Sequence, residues 1–213
     1  MDLPKIRVAE RFSRDNFPAM LSYAELVTYL KPETAAEEAL LALPEFQEGL
    51  HWGVPRYGHP EGEVYKHVRE VLRNIDFWVE DASARSLLRL VAIVHDTFKF
   101  REAKGWPRDW NHHHSTLAAR FLEVRGEDAT LIRLVAWHDE AYFIWRMMFP
   151  YQQPIQAQVR LAKLLELIQD EIQLYYVFFK CDTCTGDKNL APLHWFEQQV
   201  PGLVLLPDNS RAY

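Results

Sequence analysis

Three observations predict an all-α fold for this chain. Apolar residues recur at a period near 3.6 through most of its 213 residues. No stretch shows a convincing alternation of apolar and polar residues, and no Asn-Gly hairpin signal occurs. The composition is 48% hydrophobic and 25% charged, enough to bury a substantial core and unlike a disordered chain.

The elements follow in order. Helical periods cover 20–30, 33–43, 62–79, 83–99, 114–124, 128–148, 155–168 and 170–184. Pro32 and Pro44 mark helix starts or boundaries, since proline fits a first turn and breaks an interior. A softer segment from about 44 to 62, rich in Pro and Gly, joins the N-terminal helices to the rest. Gly105-Trp106-Pro107 sits in a loop from about 100 to 111, Gly126 stops one helix, and Asp170 separates the two long helices that follow. The expected organisation is one domain over 44–186, an N-terminal helical extension over 1–43, and a C-terminal helix and tail over 187–213 packed on it. There are no internal repeats.

The net charge of -6 argues against a nucleic-acid backbone as the main partner, although local basic clusters could hold one phosphate. No signal-peptide pattern and no apolar run of membrane-spanning length is present, so a cytoplasmic protein without a membrane partner is expected. A homo-oligomer is left open. Cys181 and Cys184 form a single C-x-x-C near the end of an apolar helical run; a reduced, structural pair is expected, with redox or accessory metal roles as alternatives.

The chemistry begins where the apolar run Leu87–Val94 ends in His95-Asp96-Thr97-Phe98-Lys99. An imidazole and a carboxylate do not belong in a core without a partner, and one bound metal ion would satisfy both. Among nine histidines, His67 and His138 also sit on or beside the inward faces of their helices. In the run His112-His113-His114, His114 is preferred because it opens an amphipathic helix. Asp182 follows the apolar run Tyr175–Phe179. Five helices therefore each deliver a candidate ligand from a mostly apolar face. Imidazoles mixed with carboxylates suit iron, manganese, cobalt, nickel or zinc better than an all-oxygen magnesium cage. Lys99 lies one helical turn beyond His95 and Asp96, where it could direct a cation at a phosphate or simply end the helix favourably.

The order His67, His95-Asp96, Asp182 resembles the signature of the HD-domain superfamily of metal-dependent phosphohydrolases. His114 and His138 match the subset of that superfamily with two metals. The stretch Gly53-Val54-Pro55-Arg56, His59-Pro60-Glu61-Gly62 and His67 is similar to the start of the C-terminal HD domain of bacterial CCA-adding tRNA nucleotidyltransferases, and the likeness runs from about 44 to 186. The nucleotidyltransferase part has no counterpart here, so tRNA end repair is not implied.

The resemblance implies a helical HD-domain fold binding one or two divalent transition-metal ions. His67, His95, Asp96 and Asp182 would hold the first, and Asp96 would bridge to a second held by His114 and His138. It implies hydrolysis of a nucleotide or another small phosphate ester, with Asp96 and Lys99 as catalytic residues. Lys99, Arg56, His59 and Arg101, with Arg120, are the candidate substrate contacts. Phe98 departs from the family, which has a glycine before the lysine; its bulk is expected to alter the helix end and narrow the mouth of the site. Two alternatives within the superfamily are a di-iron oxygenase and a degenerate domain that binds metal without catalysis. A helical binding module with no metal is a further alternative.

Overall fold

A computed structural model describes residues 20–103, 105 and 107–207; Trp106 of the expected loop lies outside the described residues. The fold is all-α. The helices are α1 (Tyr23–Leu30), α2 (Ala35–Leu41), α3 (Pro44–Leu50), α4 (Val64–Trp78), α5 (Ala82–Val94), α6 (His114–Arg125), α7 (Ala129–Trp137), α8 (Glu140–Met148), α9 (Pro154–Leu167), α10 (Ile172–Thr183) and α11 (Ala191–Gln199). Short 3-10 turns cover Thr97–Arg101 and Trp110–His112. Among the described residues there is no strand, only an isolated bridge between Arg56 and His59.

Local signals explain most boundaries. Ser22 and Glu25 form a reciprocal capping box at α1, while Thr34, Asp81 and Asp128 each accept a backbone N–H at the starts of α2, α5 and α7. Gly126 ends α6 in the left-handed region at φ 71°. A continuous core runs from Leu26 to Val200, with α10 contributing Tyr175, Tyr176, Val177, Phe178 and Phe179. The N-terminal helices are fastened to it by charge as well. Arg89 of α5, almost fully buried, reaches Glu37 of α2 at 2.9 Å and Asp76 of α4 at 2.7 Å. Losing one member of that network would strand a buried charge.

Three boundaries differ from the sequence expectation. The helix expected over 83–99 stops at Val94, and the chain tightens into the turn Thr97–Arg101. The helix expected over 128–148 is two helices, broken at His138-Asp139. The soft segment begins with a helix, α3, because Pro44 occupies its first turn, where a missing N–H costs nothing. The first two breaks share a cause. His95 Nδ1 lies 2.8 Å from the Ala92 carbonyl, and His138 Nδ1 lies 2.8 Å from the Val135 carbonyl. Each ring thus folds back on a last-turn carbonyl and closes its helix.

Gly49 lets α3 approach the turn after α5. A Cβ there would lie 2.0 Å from the Thr97 carbonyl oxygen. Phe98 corrects the expectation drawn from its bulk. Its ring is 3% exposed and packs against Phe46 at 5.9 Å and Phe121 at 5.4 Å, on the core side of the turn. The position is not among those with positive φ, so the backbone has no need of glycine. Bulk at 98 therefore fills the core beside Phe46 and Phe121.

Candidate metal centre

The two shortened helices aim the same pair of residues at one place. With Nδ1 of His95 and His138 each donating to a carbonyl, Nε2 of both rings is left as the free nitrogen facing inward. Asp96 follows His95 and lies between two groups of imidazoles. Its Oδ2 faces His95 Nε2 at 3.5 Å and His67 Nε2 at 3.7 Å, whereas its Oδ1 faces His114 Nε2 at 3.4 Å and His138 Nε2 at 3.7 Å. Asp182 Oδ1, from the end of α10, completes the first group at 2.8 Å from His67 Nε2 and 3.8 Å from His95 Nε2. The six residues singled out as ligands in the sequence therefore converge.

Among the described residues, four sets of ligand atoms each lie within 4.8 Å of one another: His67, His95 and Asp96, and Asp96, His114 and His138, all buried, with His59, Glu61 and His67, and Glu102, His113 and His114, flanking them. Nε2 of His67 and of His95 is buried with no aligned hydrogen bond, which is costly for a polar nitrogen unless something else completes it. Supporting groups orient the rings. His114 Nδ1 lies 2.9 Å from Glu102 Oε2, and His67 Nδ1 lies 3.4 Å from both Glu61 Oε1 and Thr185 Oγ1. Such partners fix the tautomer that offers Nε2 to a metal. These buried His and Asp groups can hold a transition-metal ion.

The charges fit the same picture. Burial opposes ionisation of Asp96 and of Asp182, yet Lys99 beside the first and Lys188 beside the second hold both carboxylates well below their usual range. Lys99 Nζ sits 2.5 Å from Asp96 Oδ2, and Lys188 Nζ 2.8 Å from Asp182 Oδ1. Burial pushes His95 down to about 3 and keeps its ring neutral, as a ligand must be. His114 differs: Asp139, Asp96 and Glu102 overcome the penalty of burial and raise it to about 10, so without a metal its ring holds a proton that a ligand must give up.

The proposed substrate contacts divide. Lys99 is part of the cluster, and His59 joins its edge by sharing Glu61 with His67, 2.9 Å from Glu61 Oε1. Arg56 has an exposed side chain and meets the cluster's edge only through its backbone, which exchanges hydrogen bonds with His59 at 3.0 and 2.8 Å, while Arg101 is turned toward Glu45 at 3.4 Å and the Phe100 ring. Arg120 is exposed and donates to the Asn111 carbonyl. The C-x-x-C pair is reduced: Cys181 is buried, and burial raises its thiol far above the ordinary value. Asn74 secures the segment by donating to both cysteine carbonyls.

Sequence reasoning missed Asp139, Glu102, His113 and Lys188. Asp139 Oδ2 lies 3.1 Å from His114 Nε2 and 3.5 Å from His138 Nε2, so it belongs to the second group. Its signal was present, since His138-Asp139 repeats His95-Asp96 at the end of another apolar helix. His113 caps α6, is buried beside His114 at a ring separation of 4.2 Å, and is pushed down to about 4 mainly by burial. Lys188 carried no such signal. The chain matches no protein-family model, no curated protein and no solved structure.

Proposed function

We propose that this chain is a metal-dependent phosphohydrolase acting on a nucleotide or another small phosphate ester. One observation carries the reading: the two oxygens of Asp96 face two separate imidazole groups, as a carboxylate shared between two ions requires. The likeness of the ligand order to the HD-domain superfamily supports it. His67, His95, Asp96 and Asp182 would hold one ion, and Asp96, His114, His138 and Asp139 the other. Bound there, the ions would supply Lewis-acid polarisation of the phosphate and an activated water.

The chain's own residues supply orientation and charge. Lys99 keeps its proton, because Asp96 and Asp139 raise its pKa against the penalty of burial. Its ammonium is a fixed cation for a phosphate oxygen as charge grows in the transition state. Glu102, Glu61 and the Ala92 and Val135 carbonyls hold the four imidazoles in register. The balance is that of hydrolysis: water adds to phosphorus, the P–O bond to the alcohol breaks, and the departing oxygen takes a proton.

The test is a panel of nucleotides and phosphate esters assayed under strict anaerobiosis with manganese or cobalt. Hydrolysis needs no change of metal oxidation state, so activity should persist there and fall in Lys99→Ala. Oxygen consumption tied to substrate loss in iron-loaded protein alone would overturn the reading in favour of an oxygenase. Absence of both activities would favour a metal-binding domain without catalysis.

A further inference from the structure

A cavity of about 910 Å³ lies between α6, α7, α8 and α9. Asp139 and His113 are among the residues that line it, and its surface is largely apolar. Asp139 is also 3.1 Å from His114 Nε2, so the cavity adjoins the second imidazole group through this carboxylate, and its lining includes none of His67, His95 and Asp182. Cavities of roughly 300–1,000 Å³ lined by aromatic and aliphatic groups, with a few polar groups at one end, are the usual form of a small-molecule site.

The lining is specific. Trp110 and Phe143 meet edge to face at 5.2 Å, and the Arg160 guanidinium lies over Trp110 at 5.1 Å and over Phe143 at 6.0 Å. Arg160 is held in place by Glu140, 2.7 Å from Nη2. Arg160 belongs to α9, which also lines the cavity with Ile155 and Val159, 75% and 54% exposed. Isolated exposed aliphatic residues need no explanation, but these line the same cavity as two aromatic rings and a candidate ligand carboxylate. Flat rings suit such a wall, through edge contacts with the aromatics and stacking on the guanidinium.

We infer that this cavity receives an aromatic ring system carried on the alcohol side of the phosphate ester. The assignment rests on the function proposed above. With phosphate at the Asp96 cluster, the alcohol portion leaves on the Asp139 side, and the ring lies between the Trp110–Phe143 wall and α9. The ring could be a plain aryl group or a nucleobase; both share the chemistry the cavity offers.

Calorimetry on the full, metal-loaded chain tests this without turnover. Three probes lack a cleavable ester bond: methylphosphonate, 1-naphthylmethylphosphonate and the phosphonate isostere of adenosine 5′-monophosphate. At least one ring-bearing probe should bind about tenfold or more tighter than methylphosphonate, given the apolar area a ring buries. Its preference between the two rings tells aryl from nucleobase. Ala136→Trp in α7, at a partly accessible position, and Val159→Trp in α9, at an exposed one, should each abolish that advantage while metal content and methylphosphonate binding persist. Two variants keep the test decisive if one fails to fold. Equal affinity for all three probes, or a ring advantage untouched by both variants, overturns the assignment. A ring advantage lost in the variants, in a protein that hydrolyses no ester, would keep the cavity assignment and sink the hydrolase reading.

Discussion

Phe98→Ala separates the two roles that can be imagined for this side chain. The ring is 3% exposed and lies against Phe46 and Phe121, so truncation leaves a void bounded by two other rings. Removing a buried phenylalanine costs about 3–5 kcal/mol, from lost transfer energy plus the residual cavity. In a chain of this size that corresponds to a fall in melting temperature of roughly 10 °C. The assay is urea denaturation of metal-free protein, followed by tryptophan fluorescence, with the slope of the transition unchanged. Substrate selectivity should not broaden, because the ring faces the core. A stability loss below about 1 kcal/mol, together with faster turnover of larger esters, would refute the reasoning and return Phe98 to the mouth of the site.

Three further outcomes follow from the cluster. Asp96→Ala should lose more metal than His114→Ala by elemental analysis, since only Asp96 faces both imidazole groups; equal losses would contradict the bridging role. Asp139→Asn should weaken the second ion about 10–100-fold in a competition titration and leave the first ion's affinity unchanged, and loss of both ions together would refute the assignment of Asp139 to the second group. In metal-free protein, burial depresses His95 to about 3 and His113 to about 4, so the unfolded chain gains protons first as pH falls below about 6.5. Stability should therefore drop between about pH 6.5 and 4, read as the urea midpoint. His113→Phe should drop less, and an unchanged slope in that variant would show that His113 takes no part.

Much of this architecture was legible because it rests on periodicity. The inward faces of α4 and α10 and the six converging residues follow from which residue types occupy apolar faces, and the stop of α6 from the glycine at 126. What escaped was decided by side-chain closure of helices. A 3.6-residue period continues smoothly through His138, and only the ring's return to the Val135 carbonyl shows that the helix ends there. That break brings Asp139 to 3.1 Å from His114 Nε2, so missing it meant missing a carboxylate beside the second imidazole group. The turn after α5 was hidden because it rests on a close approach between residues far apart in sequence: Gly49 packs so near Thr97 that a Cβ would meet its carbonyl oxygen at 2.0 Å. Lys188 reaches Asp182 only because the chain folds back after α10, which no local pattern announces.

The central claim is that two ions share Asp96, and counting them tests it most directly. Chelator-free protein, reconstituted with manganese or iron under reducing conditions and freed of excess, should carry about two ions per chain by elemental analysis. His114→Ala should carry about one, because its Nε2 faces only the Oδ1 side of Asp96. Wild-type protein holding under about 0.2 ion per chain after reconstitution would contradict the account, as would a His114→Ala variant that still holds two.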